Sequence, residues 1–169
     1  MQHTAAIALG SNLGDSLLTL NTAVAHLNGL ADLRVLACSS WYRTAPIGPP
    51  QPDYLNGCLL LATGLTPQTL MQQLLSVETH FGRERRERWG ARTLDLDLLL
   101  FDDVVVCHPD LTIPHPRMND RAFVLVPLAE IAADWIDPTT GRAIAHQAAT
   151  IDRTGVTLFC QNALFIKQS

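Results

Sequence analysis

The fold is predicted best from one stretch near the middle of the chain, which reads TLDLDLLLF at residues 93–101. Successive side chains of a β-strand point to opposite faces of a sheet. Asp95 and Asp97 would therefore share one face, while the leucines on either side of them face the core. The stretch predicts a strand that contributes to a hydrophobic core on one face and presents two carboxylates on the other.

A helix is predicted before this strand, separated from it by the arginine-rich loop at residues 83–92. Thr66 is a favourable N-cap, and Pro67 suits the first helical position because that position needs no backbone N–H donor. Apolar residues then recur at helical spacing until Gly82 ends the helix.

The N-terminal part of the chain supplies the remaining elements of the predicted core. A strand at residues 4–9 leads through a loop to a helix that begins at Asp15 or Ser16 and stops at residues 28–29, and two more strands follow at residues 35–43 and 57–63. The order strand, helix, strand, strand, helix, strand is the βαββαβ, or ferredoxin-like, arrangement. We expect an α+β fold with a mostly antiparallel sheet, helices on one face and active-site loops on the other.

The predicted core spans residues 4–136 of a single domain that covers residues 1–169. A third helix is expected from residue 118 to residue 133, kinked or begun late because of Pro127. Residues 137–169 form a tail whose role the pattern does not assign.

A proline-rich segment separates the second and third predicted strands. Four prolines within residues 44–56 predict that this segment is neither strand nor helix. A loop of this length in a small domain is usually functional. Tyr54 and Asn56 could stack on and hydrogen-bond to a flat heterocycle, although ordinary loop packing explains them equally well.

Charge is distributed unevenly along the chain. The formal net charge of −4 disfavours general nucleic-acid binding, yet five of the twelve cationic residues are arginines within residues 83–92. Guanidinium groups match phosphate bidentately, so this segment predicts a phosphate site. A solvated, salt-bridged loop is the alternative. Trp89 and the excess of arginine over glutamate favour a lid that closes over a nucleotide.

Composition also limits where the protein can act. No apolar stretch approaches the ~20 residues that a membrane span needs, and residues 1–9 show no export signal. The four cysteines are far apart, without the spacing of a zinc or redox site. We expect reduced cysteines and a cytoplasmic protein.

The two aspartates of the central strand are candidate metal ligands. Hard carboxylate oxygens suit Mg²⁺, which commonly takes one or two carboxylates plus substrate phosphates. An Asp-x-Asp pair in a strand can also simply face solvent. Arg92, directly before the strand, favours the metal–polyphosphate interpretation.

Three other positions allow more than one interpretation. Residues 10–15, GSNLGD, are a weak nucleotide motif, and the pattern alone favours a strand-to-helix turn that needs a flexible backbone. His115 lies between two prolines with Arg121 nearby, which makes a phosphate contact credible. Glu78 suits a solvated helix face unless the arginine-rich segment reaches it.

Four stretches together resemble one known family. They read ALGSNLGD (8–15), YRTAPIG with QPDYLNG (42–48 and 51–57), RWGARTLDLDLLLFDD (88–103) and IPHPRMNDRAFVLVPL (113–128). In this order they resemble the 6-hydroxymethyl-7,8-dihydropterin pyrophosphokinases of folate biosynthesis, over about residues 7–132. The resemblance implies a ferredoxin-like fold with three mobile loops, ATP as co-substrate and two Mg²⁺ ions.

The same resemblance implies roles for individual residues. Asp95 and Asp97 would hold both metal ions, and Arg83 and Arg92 would complete the catalytic group. The implied pterin contacts are Thr44, Pro46, Tyr54, Asn56 and Phe123. The implied ATP contacts are Glu78, Arg85, Trp89, Leu98, Thr112, His115 and Arg121.

Two other functions remain open from the sequence. A non-catalytic ferredoxin-like ligand-binding or RNA-binding module would use the sheet face, but Asp95 and Asp97 would repel RNA there. Another Mg²⁺- and ATP-dependent phosphoryl transferase acting on a flat heterocycle would release ADP, whereas pyrophosphoryl transfer releases AMP. We expect small-molecule substrates, no nucleic-acid or membrane partner, and a monomer.

Overall fold

The computed structural model describes residues 2–46, 48–82 and 93–162. Its elements, in chain order, are β1 (His3–Ser11), α1 (Ser16–Asn28), β2 (Leu33–Cys38), β3 (Trp41–Thr44), β4 (Tyr54–Thr63), α2 (Pro67–His80), β5 (Asp95–Phe101), β6 (Val106–His108), β7 (Leu111–Ile113), a 3₁₀ turn (Met118–Asp120), α3 (Ala122–Ala132), α4 (Ile144–Thr150) and β8 (Val156–Cys160). Both predicted helix starts are confirmed, because the side chains of Asp15 and Thr66 cap α1 and α2.

A single antiparallel sheet carries the fold, in the order β5-β1-β4-β3-β8. β2 pairs with the distal half of β4, while β3 pairs with residues Tyr54–Asn56 at its start. β6 and β7 form a separate two-stranded hairpin. The α+β, ferredoxin-like arrangement predicted from the element order is confirmed.

Two hydrophobic layers cover the two faces of the sheet. The helices of the predicted core, α1 and α2, pack on one face against residues such as Ile7, Leu59 and Leu96. On the other face, α3 and α4 pack against Ala6 and neighbouring small residues. The second face is therefore partly covered by helices and only partly open.

The break between β2 and β3 differs from the single strand predicted at residues 35–43. Side-chain hydrogen bonds replace the regular ladder there: Ser39 Oγ accepts from the Cys58 N–H at 2.8 Å, and the Glu130 carboxylate of α3 accepts from the hydroxyl of Ser40 at 2.9 Å. These bonds turn the chain so that Trp41 begins a new strand.

The proline-rich segment was predicted to contain no strand, and this is wrong at its two ends. Thr44 closes β3, Tyr54 opens β4, and the two residues pair across the strands. The prolines all lie between these residues, so no paired position lacks a backbone donor.

The C-terminal elements also differ from expectation. α3 begins at Ala122, after the 3₁₀ turn, and Pro127 lies inside it. In the tail, α4 buries Ile144 in the second hydrophobic layer, and β8 pairs with β3. The described part of the tail is therefore integral to the sheet and its packing. Among the described residues, no helix has the length and apolarity to cross a membrane.

Candidate active site

An open pocket lies on the second face of the sheet, beside α3. It is lined by Ala8, Leu9, Gly10, Thr44, Ala45, Pro46, Tyr54, Asn56, Asp95, Asp97, Arg121, Phe123 and Val124. Residues from five elements and from both halves of the chain therefore meet at one cavity.

The pocket exists because β1 carries small side chains on this face. Ala8 pairs with Asp97, and Gly10 pairs with Asp95, so the two aspartates lie beside positions that occupy little volume. Leu9 and Leu96 face the opposite layer, as the alternation of a strand requires. The small residues that alternate in the pattern Ala6-x-Ala8-x-Gly10 could have predicted a cavity on this face. The interpretation of residues 10–15 as a turn did not include this pattern.

Gly10 lies in a close approach between strands. A Cβ atom at this position would come within 2.9 Å of Asn56 Oδ1 and 3.5 Å of the Tyr54 ring. Asn56 is the cross-strand partner of Gly10, and its amide donates to Thr44 Oγ1 at 2.6 Å. The absence of a side chain at residue 10 therefore lets a held asparagine face the pocket.

Asn12 supports the same region from behind and was not singled out in the sequence. Its side chain is 2% exposed and donates to Gln51 Oε1 at 2.8 Å and to the Pro52 carbonyl at 2.9 Å. These bonds fix the end of the proline-rich segment, directly before Tyr54.

The carboxylate end of the pocket adjoins the segment between β7 and α3. Backbone bonding holds this segment to the sheet, because the His115 N–H donates to the Leu99 carbonyl at 2.9 Å. His115 Nε2 lies 4.0 Å from Asp97 Oδ1, which is too long for a hydrogen bond. Arg121 reaches the pocket from the start of α3, with its guanidinium 5.5 Å from the centre of the Phe123 ring.

The protonation of His115 follows from its surroundings. Burial lowers the pKa of His115 below its ordinary value, and the charges of Arg121 and Arg117 lower it further, while Asp97 opposes the shift. The Arg117 N–H donates to His115 Nδ1 at 3.2 Å, which places the ring proton of the neutral tautomer on Nε2. His115 therefore offers a donor toward Asp97 without adding a full charge.

Four of the predicted ATP contacts that are described do not line the pocket: His115, which adjoins its carboxylate end, and Leu98, Thr112 and Glu78. Leu98 is buried in the layer with α1 and α2, and Thr112 is exposed on β7. Glu78 is 1% exposed, so the alternative of a solvated helix face is wrong. Its carboxylate accepts from the Leu96 N–H at 3.2 Å, behind the strand that carries Asp95 and Asp97.

The predicted contacts of the arginine-rich segment lie outside the described residues. They are Arg83, Arg85, Trp89 and Arg92. Of the predicted residues that are described, the structure brings together at one pocket Thr44, Pro46, Tyr54, Asn56, Asp95, Asp97, Arg121 and Phe123.

The donor set favours one kind of metal ion. Within the described ranges, no group of three or more histidine, cysteine, aspartate or glutamate side chains is arranged to hold an ion. Two carboxylates on one strand face give hard oxygen ligands and leave other coordination positions to water or substrate. This fits Mg²⁺ bound together with phosphate, and it does not fit a structural zinc site.

Comparison with known proteins identifies the family. A family sequence model described as 7,8-dihydro-6-hydroxymethylpterin-pyrophosphokinase matches residues 6–133. The chain belongs to this family. The resemblance based on the four stretches is confirmed, and the chain is a pyrophosphokinase of folate biosynthesis that uses ATP and hydroxymethyldihydropterin.

Individual pyrophosphokinases are similar over most of their length. A 2-amino-4-hydroxy-6-hydroxymethyldihydropteridine pyrophosphokinase of Synechocystis sp. is 51% identical over 154 residues, which cover 91% of this chain and 79% of that protein. One from Haemophilus influenzae is 44% identical over 138 residues, covering 81% of this chain and 86% of that protein.

A solved structure supports the fold. A Plasmodium falciparum HPPK-DHPS structure with pteroate superposes with a TM-score of 0.72 at 13% identity, covering 88% of this chain and 41% of that chain. At this identity the likeness shows the fold of the pyrophosphokinase domain and nothing of its substrates.

Proposed function

We propose that this pocket is the place where the pyrophosphokinase reaction occurs, with the pterin at its aromatic end and the ATP phosphates at its carboxylate end. One observation carries the proposal: a single cavity is lined by Tyr54, Asn56 and Phe123 together with Asp95 and Asp97. A flat heterocycle and a polyphosphate are the two ligands that such a combination suits.

The aromatic end is suited to a pterin. Tyr54 enters from the start of β4 and Phe123 from the first turn of α3, so their rings approach the cavity from different elements. Asn56 is 7% exposed and held by Thr44, which fixes the direction of its amide. A pterin stacked on the rings would meet this amide with its hydrogen-bonding edge, and Pro46 would close the side of the site.

The phosphate end is suited to a negatively charged chain of phosphates. Arg121 supplies a permanent positive charge beside the cavity, and His115 supplies a neutral N–H donor. Together they would orient the triphosphate so that its β-phosphorus lies near Asp97. Arg83, Arg85, Trp89 and Arg92 are proposed to complete this end.

Asp95 and Asp97 are the residues that we propose to hold two Mg²⁺ ions. Bound there, the ions would neutralise phosphate charge and lower the pKa of the attacking hydroxyl. The chain itself contributes two carboxylates on one face of a strand, fixed in direction by the pairing of β5 with β1. Without a cation between them, their charges would repel each other and any phosphate that approached.

The proposed reaction is a nucleophilic displacement at the β-phosphorus of ATP. The hydroxymethyl oxygen of the pterin forms a bond to the β-phosphorus of ATP, while the bond from that phosphorus to the oxygen bridging the α- and β-phosphates breaks. AMP leaves with the bridging oxygen, and the hydroxyl proton passes to solvent or to Asp97, the carboxylate nearest His115. The chain's main contribution is to orient both substrates and to exclude water from the cavity.

Three further roles belong to the proposal. The backbone of β5 at Leu98 and the backbone of β7 at Thr112 would lie near adenine. Glu78 would position the backbone of β5 and would not contact ATP directly. We also propose that the protein acts as a monomer in a reducing cytoplasm. The four cysteines are free thiols, which fits a reducing compartment.

The test is to incubate the protein with ATP, Mg²⁺ and 6-hydroxymethyl-7,8-dihydropterin and to identify the nucleotide product. We expect pterin-dependent AMP, with turnover reduced at least about a hundredfold in Asp95→Asn and Asp97→Asn. Asp103→Asn, an exposed aspartate two residues beyond β5, is the matched control and should retain wild-type turnover.

Other outcomes would each reject a part of the proposal. ADP as product would keep an ATP site but indicate ordinary phosphoryl transfer. An Asp97→Asn protein that turns over at the wild-type rate would remove this aspartate from the metal site. No turnover with both substrates bound would indicate a binding protein of the same fold.

A further inference from the structure

We propose that Asp137, which lies beyond the residues matched by the family model, is a positioning residue for ATP binding. It holds, through Asn119, the segment that presents His115 and Arg121 to the phosphates. The proposal rests on the proposed function in one respect, namely that Arg121 contacts ATP. It assigns a functional role to the tail, to which the sequence pattern assigned none.

Asp137 is a fully buried carboxylate with an unusually complete set of donors. One oxygen accepts from the Thr139 N–H at 2.9 Å and from its hydroxyl at 2.7 Å. The other oxygen accepts from Asn119 Nδ2 at 3.1 Å and from Gln147 Nε2 at 3.2 Å. The carboxylate therefore joins three parts of the chain: its own turn, the 3₁₀ turn before α3, and α4.

The turn that carries Asp137 is fixed independently of Asn119. The Asp137 N–H donates to the Arg142 carbonyl at 2.9 Å, and the Ile144 N–H donates to the Trp135 carbonyl at 2.8 Å. Ile136 also forms an isolated β-bridge with Ala143. These bonds join the residues that follow α3 to those at the start of α4, so the carboxylate is a fixed point to which Asn119 is attached.

The segment from His115 to Arg121 is anchored to the sheet at its start and to α3 at its end, with local turn bonds between. Its first residue is bonded to Leu99 of β5, and Met118 is fully buried in the second hydrophobic layer. Asn119 itself is exposed, and its bond to Asp137 is the described side-chain hydrogen bond that restrains the second half of the segment. Arg121 follows two residues later. The Arg121 carbonyl accepts from the Val124 and Leu125 N–H groups of α3, so loss of the Asn119 bond would loosen the turn that leads into Arg121 and leave the helix start in place.

Loss of the bond between Asn119 and Asp137 should affect the binding of ATP and not that of the pterin. Of the proposed pterin contacts, Thr44, Tyr54 and Asn56 lie on β3 and β4, which Asp137 contacts through no described hydrogen bond. Phe123 lies within α3 and packs against the second hydrophobic layer, so its position does not depend on the Asn119 bond alone. A loosened segment should therefore weaken ATP binding and leave pterin binding almost unchanged. General destabilisation of the fold would instead affect both substrates.

The test compares Asn119→Ala and Asp137→Ala with a matched control, Asp152→Ala. Asp152 makes the same local turn, accepting from the Thr154 N–H at 2.9 Å and from its hydroxyl, but it is exposed. We expect each of the first two variants to raise the KM and the Kd for ATP roughly tenfold. The KM for pterin and the kcat at saturating ATP should stay within about twofold.

Combining the two substitutions provides a second measurement. If Asn119 acts through Asp137, the double variant should bind ATP no more weakly than the worse single variant. Fully multiplicative losses would overturn the proposal. If Asp137→Ala does not fold, Asn119→Ala decides alone, because residue 119 is exposed and its replacement leaves the core intact.

Arg121→Ala separates this proposal from the assignment on which it rests. If Arg121→Ala weakens ATP binding and Asn119→Ala does not, the positioning role is overturned and the proposed phosphate site stands. If Arg121→Ala binds ATP as the wild type does, the phosphate site is wrong. Equal loss of ATP and pterin affinity in Asn119→Ala would indicate a merely structural role and would also overturn the proposal.

Discussion

At the scale of single residues, the geometry of the pocket depends on the absence of a side chain at residue 10. Gly10 lies between Asn56 on one neighbouring strand and Asp95 on the other. A glycine is not needed there for an unusual backbone angle. The free-energy cost of placing a glycine in a strand is offset by the space that its missing side chain leaves. The pterin end and the metal end of the pocket approach each other at this point.

Gly10→Ala should therefore weaken pterin binding selectively. The added Cβ would lie 2.9 Å from Asn56 Oδ1, and Asn56 cannot withdraw easily because Thr44 holds its amide. We expect the KM for pterin to rise roughly tenfold, while the Kd for ATP stays unchanged. Steady-state kinetics with each substrate varied in turn measures the effect.

Gly64→Ala is the matched control for this prediction. A Cβ atom at residue 64 meets nothing within 4 Å, so the substitution should leave both substrate constants unchanged. A Gly10→Ala enzyme with the wild-type KM for pterin would show that Asn56 is free to move or does not contact the pterin.

At the scale of elements, α2 supports β5 from behind the aspartate pair. β5 lies at the edge of the sheet formed by the described residues, and Glu78 satisfies the Leu96 N–H on the side where the described part of the chain supplies no strand. Buried backbone donors are almost always satisfied, so this contact fixes β5 against the helix at the level of Asp95 and Asp97.

Glu78→Ala should destabilise the protein by about 1–3 kcal/mol, the usual cost of leaving a buried donor unsatisfied. Glu78→Gln retains an acceptor oxygen and should cost less. Urea unfolding measures both, with Gln72→Ala on the exposed face of α2 as the control. Equal stability of Glu78→Ala and the control would mean that the Leu96 N–H finds water instead.

At the scale of the whole molecule, the tail is joined to the sheet in two ways. β8 pairs with β3, which carries Thr44, and α4 packs against α3, which begins beside Arg121. Both ends of the pocket are therefore attached to elements that follow residue 137. We expect the fold to unfold as one cooperative unit, with the tail included.

Acid stability should report on the attachment of the tail. Burial alone would raise the pKa of Asp137, but hydrogen bonds from Thr139, Asn119 and Gln147 outweigh this and lower the pKa to about 2. A carboxyl group with a lowered pKa in the folded state stabilises the protein above its unfolded pKa. That stability, about 2 kcal/mol, is lost as the pH falls from about 4 toward 2.

Urea unfolding at pH 5 and at pH 3 tests this expectation. The free energy of unfolding should fall less steeply with pH in Asp137→Ala than in the wild type, because the variant lacks the group that takes up the proton. The exposed Asp152, whose pKa is lowered by hydrogen bonds from Thr154, allows the same substitution as a control and should change the slope much less, because solvent screens an exposed group. Identical slopes in all three proteins would show that another carboxyl group dominates acid unfolding.

The sequence by itself determined the order of the core elements and the pair of carboxylates. Alternation places Asp95 and Asp97 on one face whatever the rest of the chain does, and caps such as Asp15 and Thr66 act within a single turn of helix. These features depend on neighbours in the chain, so a local pattern is sufficient to predict them. The four family stretches identified the activity for the same reason.

Only the tertiary structure decided how the site is supported. Gly10 matters because a separate strand brings Asn56 against it, and Glu78 is buried because β5 returns beside α2. The contact between Asn119 and Asp137 joins residues that no local pattern relates. Such contacts depend on which elements become neighbours when the sheet and its two layers form, and hydrophobic periodicity does not contain that information.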